Sequence, residues 1–309
     1  MKKVLVTGAS GFIGRQCVPL LVSKGYEVHA LSRRQPPETA SPKVSWHEVD
    51  LLEPRRASEL VSQVRPDGLL HLAWYAEPGK FWEAKDNLEW VRASLELFRA
   101  FEDHGGTRLV AAGSCAEYDC SAGECLENAT PLQPATLYGT CKHALEQILH
   151  ASSRQTGLSS AWGRIFFPYG PHEHLSRLVA YAVRSLLREE PALCSEGRQI
   201  LDFIHVEDAA SAFIRLLESE VQGPVNIGSG SPVAVRDVVQ EIGRQLERPD
   251  LIRLGARAAS SEADRFWANT QRLRKETGWI PRYSLASGIA QTIEWWQSPA
   301  GIPALQAQQ

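Results

Sequence analysis

The sequence predicts an α/β chain: a Rossmann, doubly wound parallel sheet with a smaller mixed α/β lobe at its C-terminal side. Three observations predict it. Strand-like and helix-like segments alternate through the first half of the chain. The glycine-rich stretch TGASGFIG, Thr7 to Gly14, lies directly between the first strand and the first helix. After Gly170 the rhythm changes to short strands mixed with helices. Residues 1–166, with a return segment at about 201–228, are therefore assigned to the Rossmann half. Residues 167–200 and 229–309 are assigned to the smaller lobe.

The elements follow in order. KKVLVT is a short Leu and β-branched run. Ile13, Cys17, Leu20 and Leu21 then recur at helical spacing, and Gly25 stops the helix. YEVHAL and VSWHEVD are the next two strands, RRASELVSQV is a helix ending before Pro66, and GLLHLAW is the fourth strand. A long helix is expected over roughly residues 81–104, then strand RLVAAGS, a helix from Leu137 to about Gly157, and strand SSAWGRIFF. Beyond Gly170, the strands PALCS, QILDFIHV and GPVNIG mix with helices near 175–188, 207–217, 235–246 and 271–277. Parallel βαβ units bury the sheet between helices on both faces. The ligand crevice of such a sheet lies outside the carboxyl ends of its strands, so the smaller lobe is expected there. Residues from about Pro299 to Gln309 read as a loose tail.

Composition removes several function classes. The 309 residues are 43% hydrophobic and 22% charged, with a net charge of -3. The absence of a basic stripe argues against nucleic acid as a partner. No stretch approaches the roughly 18 to 20 apolar residues of a membrane span. No apolar leader precedes the first strand, and a cytoplasmic location is expected. The six cysteines (Cys17, Cys115, Cys120, Cys125, Cys141 and Cys194) form no CxxC pair. Their spacing suits no common zinc pattern, so no metal site is expected.

The glycine-rich stretch carries the first functional reading. Gly8 permits the tight turn, Gly11 lets backbone approach a pyrophosphate, and Gly14 lets helix and strand pack closely. The helix N-terminus favours the phosphate charge, so a dinucleotide is expected there. The second strand ends Ala30-Leu31-Ser32-Arg33-Arg34, with no acid to accept from a ribose 2′-hydroxyl. A hydroxyl and guanidinium groups suit a 2′-phosphate instead. NADP is therefore the expected cofactor and NAD the alternative. Asp50 is placed to accept from the adenine amino group. His71-Leu72-Ala73 should border the nicotinamide ribose. Trp74 and Tyr75 follow into the crevice as candidate sugar contacts, whereas Phe81 and Trp82 read as core.

Tyr138 and Lys142 are four apart on a predicted helix and share a face. A lysine beside a tyrosine favours the phenolate, which lowers the tyrosine pKa from about 10. Ser114, ending the fifth strand in GSCAEY, is placed to hold the reacting oxygen near Tyr138. Asn87 would complete a proton path to Lys142. Alone, a Tyr–Lys pair at this spacing is a commonplace surface pair. With the glycine motif, the strand order and Ser114, it becomes a specific constellation.

At this point the chain resembles the extended short-chain dehydrogenase/reductase family, the NAD-dependent epimerase/dehydratase group. The resemblance covers nearly the whole length: TGASGFIG, Asp50, HLA, GSCAEY, YGTCK, the FPYGP turn, DFIHVEDAA, VNIGSG and KETGWIPRY. It implies modification of the hexose of a nucleoside diphosphate sugar, with Ser114, Tyr138 and Lys142 as catalytic triad. The implied cofactor contacts are Thr7, Gly8, Ser10, Gly11, Phe12, Ile13, Gly14, Ser32, Arg33, Asp50, Leu51, Leu72 and Ala73, with Tyr138 and Lys142. It further implies a homodimer through the helices near 81–104 and 137–155. Family dehydratases place Asp-Glu after the Ser or Thr, and here Cys115 and Ala116 disfavour water elimination. Phe167 replaces a frequent Asn, and Leu201 a frequent diphosphate-pairing Arg. Arg265 matches another phosphate-binding arginine, and Arg177 and Arg198 are further candidates. His172, Glu173 and His174 could line the sugar pocket. LGA and Ala268-Asn269 are similar to CDP-abequose synthase-like nucleotide-sugar 4-ketoreductases.

Three readings follow. The first is NADPH-dependent reduction of a nucleoside-diphosphate-4-keto-6-deoxyhexose. The second is a nucleotide-sugar 4-epimerase with bound NAD. The third is a non-catalytic NADP-binding sensor or scaffold, which the intact Ser, Tyr and Lys argue against.

Overall fold

The computed structural model describes residues 2–33, 41–258 and 264–306. In chain order the first elements are β1 (Lys3–Thr7), α1 (Gly14–Ser23), β2 (Glu27–Ser32), β3 (Val44–Glu48), α2 (Arg56–Val64), β4 (Gly68–His71), α3 (Asp86–Asp103) and β5 (Arg108–Ser114). Next come β6 (Gly123–Cys125), α4 (Leu137–Thr156), β7 (Ser159–Ile165), β8 (Phe167–Tyr169), α5 (Leu178–Leu187), β9 (Ala192–Leu193), β10 (Ile200–Leu201) and β11 (Phe203–His205). Then follow α6 (Val206–Glu218), β12 (Gly223–Ile227), β13 (Val233–Ala234), α7 (Val235–Gln245), β14 (Ile252–Arg253), β15 (Arg265–Ala268), α8 (Gln271–Thr277), α9 (Leu285–Gln297) and α10 (Ile302–Gln306).

Seven strands form one parallel sheet in the order β3-β2-β1-β4-β5-β7-β12, the doubly wound arrangement expected. Both faces are covered, which is why the strands read as nearly continuous apolar runs. The two-residue side-chain period sends Val4 and Val6 to one face, with Cys17 and Leu21 of α1 and Phe213 of α6. Leu5 and Leu109 go to the other face, against Val61 of α2, Phe101 of α3 and Leu145 of α4. The chain leaves this sheet after β7 and returns through α6 and β12. Among the described residues, no helix is long and apolar enough to cross a membrane.

The smaller lobe holds the four-stranded sheet β13-β10-β15-β6 and the pairs β8–β11 and β9–β14. Two buried carboxylates stitch it to the Rossmann half. Asp202 accepts from the backbone N–H groups of Ser229, Gly230 and Ala268 at 2.7, 3.0 and 3.1 Å. Asp208 of α6 accepts from Arg282 and Tyr283 N–H at 2.8 and 3.0 Å. The motifs DFIHVEDAA, VNIGSG and WIPRY are thus parts of one hydrogen-bonded seam.

Three expectations change. The long helix over 81–104 is broken: a 3₁₀ turn covers Phe81–Glu83, Ala84 is extended, and α3 starts at Asp86. The Asn87 amide donates to the Phe81 and Ala84 carbonyls at 2.7 and 2.9 Å, which satisfies the groups released by the break. QILDFIHV divides at Asp202 into β10 and β11, because Asp202 turns inward to the seam. The presumed tail contains α10, whose Leu305 carbonyl accepts from Arg188; residues 307–309 lie outside those described.

The glycine loop is sterically tight. Gly8 has φ +65°, and a Cβ there would come within 2.8 Å of the Ala73 nitrogen. A Cβ on Gly14 would collide with the Gly8 carbonyl oxygen. Gly14→Ala is expected to destabilise the fold by about 1–3 kcal/mol, the usual cost of overpacking. Urea unfolding measures this, and an unchanged midpoint and slope would refute the close approach.

Candidate active site

The site lies at the carboxyl ends of β1, β4 and β5, where α4 and the smaller lobe meet the sheet. Helix α4 begins with a cap: the Thr136 hydroxyl accepts from Gly139 N–H at 3.1 Å. Tyr138 is thereby in the first turn and Lys142 one turn later. Strand β5 ends at Ser114, whose hydroxyl lies beside the Tyr138 phenol and accepts from Ala116 N–H at 3.2 Å. The three predicted catalytic residues are brought together.

Their electrostatics differ from the expectation. Tyr138 is surrounded edge-on by Phe81, Trp82 and Trp74, with ring centroids 4.8, 5.8 and 6.4 Å away. Burial pushes its phenol up and the Ser114 hydroxyl opposes this, so Tyr138 is held protonated and not as the lowered phenol expected from Lys142. Lys142 is 3% exposed, and burial pushes its amine down to about 7, opposed by the Glu117 carboxylate. Its Nζ donates to the Ala112 carbonyl at 2.8 Å. His71, also buried, is pushed down to about 3 by desolvation and then by Lys142; its ring bonds Thr7 Oγ1 and Ser94 Oγ at 2.8 and 3.0 Å.

Beneath Ser114 is a group the sequence reading missed. Glu117, fully buried, accepts from Ser114 N–H at 2.7 Å, Trp162 Nε1 at 2.9 Å and Arg164 Nε at 2.8 Å. Arg164 in turn donates to the Tyr118 hydroxyl at 3.0 Å, and Tyr118 donates to Asn226 at 2.8 Å. The available signal was a charged residue in each of two segments, GSCAEY and SSAWGRIFF, that otherwise read as buried.

The cofactor end fits a dinucleotide. Gly11 meets nothing beyond its own turn, leaving open space above the backbone, and α1 has no acidic residue in its first turn to oppose a phosphate. Ser10, Phe12 and Ile13 shape this loop, and Ser10 Oγ lies 3.0 Å from Ser32 Oγ. Arg33 is exposed beside them, and Arg34 lies outside the described residues. Asp50 accepts from Leu52 N–H at 2.9 Å through one oxygen, which fixes the turn and leaves the other oxygen for a ligand. Leu51 is core, with Leu72 and Ala73 packed at its margin. Thr7 departs from its expected role. Fully buried, its hydroxyl bonds His71 and accepts from Leu72 and Ala73 N–H at 3.2 Å, so it supports the loop from below.

The smaller lobe contributes a cavity of about 310 Å³, lined among others by Phe167, Glu173, Arg177, Gln199, Leu201 and Arg257. Arg177 acts electrostatically on both Glu173 and Tyr138, linking cavity and triad. Burial raises the Glu173 carboxyl to about 8, opposed by Arg177, so it faces the cavity as a neutral acid near pH 7. Arg265 is exposed, lies over Trp267 at 5.7 Å and is not among the described residues that line this cavity. Arg257, which sequence reasoning did not select, lines it instead, stacked on Tyr181 at 4.7 Å. Arg198 is an exposed partner of Glu196. His172 packs on Trp295 and His174 stands 3.9 Å from Glu77 at the surface, so neither joins Glu173 in the cavity. Trp74 is committed to Asn87 and Lys142, and Asn87, with its amide spent on Phe81 and Ala84, makes no side-chain proton path. Tyr75 packs against the core. Among the described residues there is no His, Cys, Asp and Glu cluster able to hold a metal ion.

Comparison with known proteins agrees with this geometry. A sequence model of the NAD dependent epimerase/dehydratase family matches residues 4–228. The chain is 25% identical to the dTDP-glucose 4,6-dehydratase of Neisseria meningitidis, covering 96% of this chain and 93% of that protein. It is 25% identical to the UDP-glucose 4-epimerase of Rhizobium leguminosarum bv. trifolii, covering 94% and 96%. It is 26% identical to the GDP-6-deoxy-D-mannose reductase of Pseudomonas aeruginosa, covering 96% and 98%. The solved structure of MoeE5 in complex with UDP-glucuronic acid and NAD has a TM-score of 0.82 at 30% identity, covering 96% of this chain and 99% of that one.

The Glu117–Arg164 pair generates a test. Arg164→Met strands a buried carboxylate and is expected to cost about 3–5 kcal/mol in urea unfolding. Adding Glu117→Gln should recover part of the loss. Equal stability of wild type and Arg164→Met would contradict the pairing.

Proposed function

As this chain belongs to the NAD dependent epimerase/dehydratase family, we propose that it reduces a 4-keto-6-deoxyhexose carried on a nucleoside diphosphate, with NADPH as cofactor. The observation that carries this reading is the placement of Tyr138: a phenol in the first turn of α4, ringed by Phe81, Trp82 and Trp74 and beside Ser114, is a proton donor set for a ketone oxygen. Gly8, Gly11 and Gly14 would hold the pyrophosphate, Ser32 and Arg33 the 2′-phosphate, Asp50 the adenine, and Leu72, Ala73 and Lys142 the nicotinamide end. Bound there, the nicotinamide supplies the hydride.

The protein's own part is orientation and proton supply. Ser114 aligns the ketone oxygen with Tyr138, which donates the proton. Lys142 orients the ribose and limits the charge that builds beside Tyr138. Arg177 and Arg257 pair with the diphosphate in place of the arginine that Leu201 lacks. A neutral Glu173 in the same cavity avoids repelling it. Cys115 and Ala116 provide no acid for elimination of water. Leu88 and Ile148, 56% and 46% exposed on α3 and α4, support a homodimer through these helices.

The epimerase reading has its own support: a relative of nearly full coverage bears that name, and MoeE5 was solved with NAD. The two readings separate on cofactor behaviour. The reductase should bind NADPH more tightly than NADH and release it between turnovers, and Arg33→Ala should weaken NADPH alone. An epimerase should retain NAD through purification without preferring the phosphorylated form.

Tyr138→Phe should leave NADPH affinity nearly unchanged and reduce turnover by about 10² to 10⁴. Arg257→Ala should weaken binding of the matching nucleoside diphosphate by about 1.5–3 kcal/mol, whereas Arg265→Ala should not. Isothermal titration and steady-state kinetics read these outcomes. Near-normal turnover of Tyr138→Phe would remove the phenol from the mechanism.

A further inference from the structure

The Lys142 ammonium lies over the indole face of Trp74, with Nζ 3.8 Å from the ring centroid. That approach is close for a cation–π contact, and it occurs where the cation is desolvated, the condition in which such contacts are strongest. The indole is itself fixed. Trp74 Nε1 donates to Asn87 Oδ1 at 2.8 Å, and the fully buried Asn87 is anchored on the Phe81 and Ala84 carbonyls. Trp90 stacks on the far side at 6.0 Å, and the edge of the cluster reaches Tyr138. The break between the 3₁₀ turn at Phe81 and α3 therefore exposes two carbonyls that orient Asn87, Asn87 orients Trp74, and Trp74 meets Lys142.

We propose that Trp74, aimed by Asn87, is a positioning residue for Lys142: its ring face keeps the ammonium charged and directed at the cofactor end while the Ala112 carbonyl holds it from the other side. This rests on the reading of Lys142 as the residue that holds the nicotinamide ribose. Every group facing Lys142 enters the balance. From β5 comes the Ala112 carbonyl, and beyond it the Glu117 carboxylate favours the cation. From β4 comes a neutral His71, from α4 the protonated Tyr138, and from β7 the Trp162 ring at 5.9 Å. Of the two indole faces, that of Trp74 is much the nearer. Removing it withdraws a contribution that favours only the charged form.

The test reads stability against pH in the full chain, without substrate. Lys142 titrates near 7 when folded and near 10.5 when unfolded. Between these values the unfolded chain holds a proton that the folded chain has lost, so stability rises with pH across the window. The contribution of Lys142 is isolated by subtracting the profile of Lys142→Met measured in the same Trp74 background. In Trp74→Leu the onset of the rise should move down by about one pH unit. Trp74→Phe, which keeps a weaker ring face, should move it less and in the same direction, and it remains readable should the leucine variant fail to fold. The NADPH affinity of Trp74→Leu should fall at pH 7.5 and recover toward pH 6. An unchanged onset in Trp74→Phe and in any folded Trp74→Leu would overturn the proposal. The functional reading of Lys142 is tested separately: if Lys142→Met keeps wild-type NADPH affinity and turnover, that reading fails whatever Trp74 does.

Discussion

The buried carboxylate of Glu117 is the interaction on which the rest of the site depends. It gathers a backbone N–H from Ser114, the indole N–H of Trp162 and the guanidinium of Arg164 at one point between β5 and β7. A buried ion pair is weak evidence for stability, since desolvating both partners opposes their attraction. Its effect here is geometric. It fixes the last residue of β5, which sets where Ser114 stands against Tyr138. The same pair leads through Tyr118 to Asn226 on β12 and from there to the Cys125 and Asn269 carbonyls of the smaller lobe. One polar chain thus ties the reacting end of the sheet to the lobe that holds the cavity. The packing leaves no slack: a Cβ on Gly113 would collide with Trp162 and stand 2.7 Å from Glu117 Oε1.

Burial then sets the protonation states. Burial pushes the Tyr138 phenol up and the Lys142 amine down, so each group is moved toward its neutral form. Only the lowered amine of Lys142 costs stability near neutral pH, where the unfolded chain keeps a proton that the folded chain partly loses; the Tyr138 phenol is protonated in both states there. The cavity repeats the logic. Glu173 is an acid in sequence, yet burial makes it a neutral hydrogen-bonding group beside two arginines. Counting formal charges along the chain would have given this cavity the wrong balance.

Much of the fold was legible because its signals are local. The strand-turn-helix at Thr7–Gly14, the apolar runs of β4 and β5 and the capped start of α4 each announce themselves within a few residues. The placement of Ser114, Tyr138 and Lys142 was legible for the same reason: strand end, helix start and a four-residue spacing locate them without knowledge of the lobe. What failed depended on distant partners. Arg257 and Arg265 cannot be distinguished by composition, and only their placement in the folded chain shows that Arg257 lines the cavity. Glu117 has meaning only once Arg164 is packed across from it. The break before α3 is dictated by one asparagine reaching backwards, which a periodicity count over 81–104 cannot register. Helix α9 was missed although its pattern is regular: Ser284 and Ser287 form a capping box, and Ile289, Thr292, Ile293 and Trp296 share its buried face. There the failure was of reading rather than of signal.

We propose that a protonated Tyr138 beside Ser114 and Lys142 serves the reduction of a ketone on a nucleotide-linked sugar. Isotope tracing tests it most directly. The enzyme is incubated with a nucleoside-diphosphate-4-keto-6-deoxyhexose and excess NADPH deuterated at the transferable C4 position, and the product is read by mass spectrometry and proton NMR. One deuterium per product molecule is expected, located at sugar C4, with one NADPH consumed for each. Turnover of the sugar with no deuterium at C4 and no NADPH consumed would contradict this proposal.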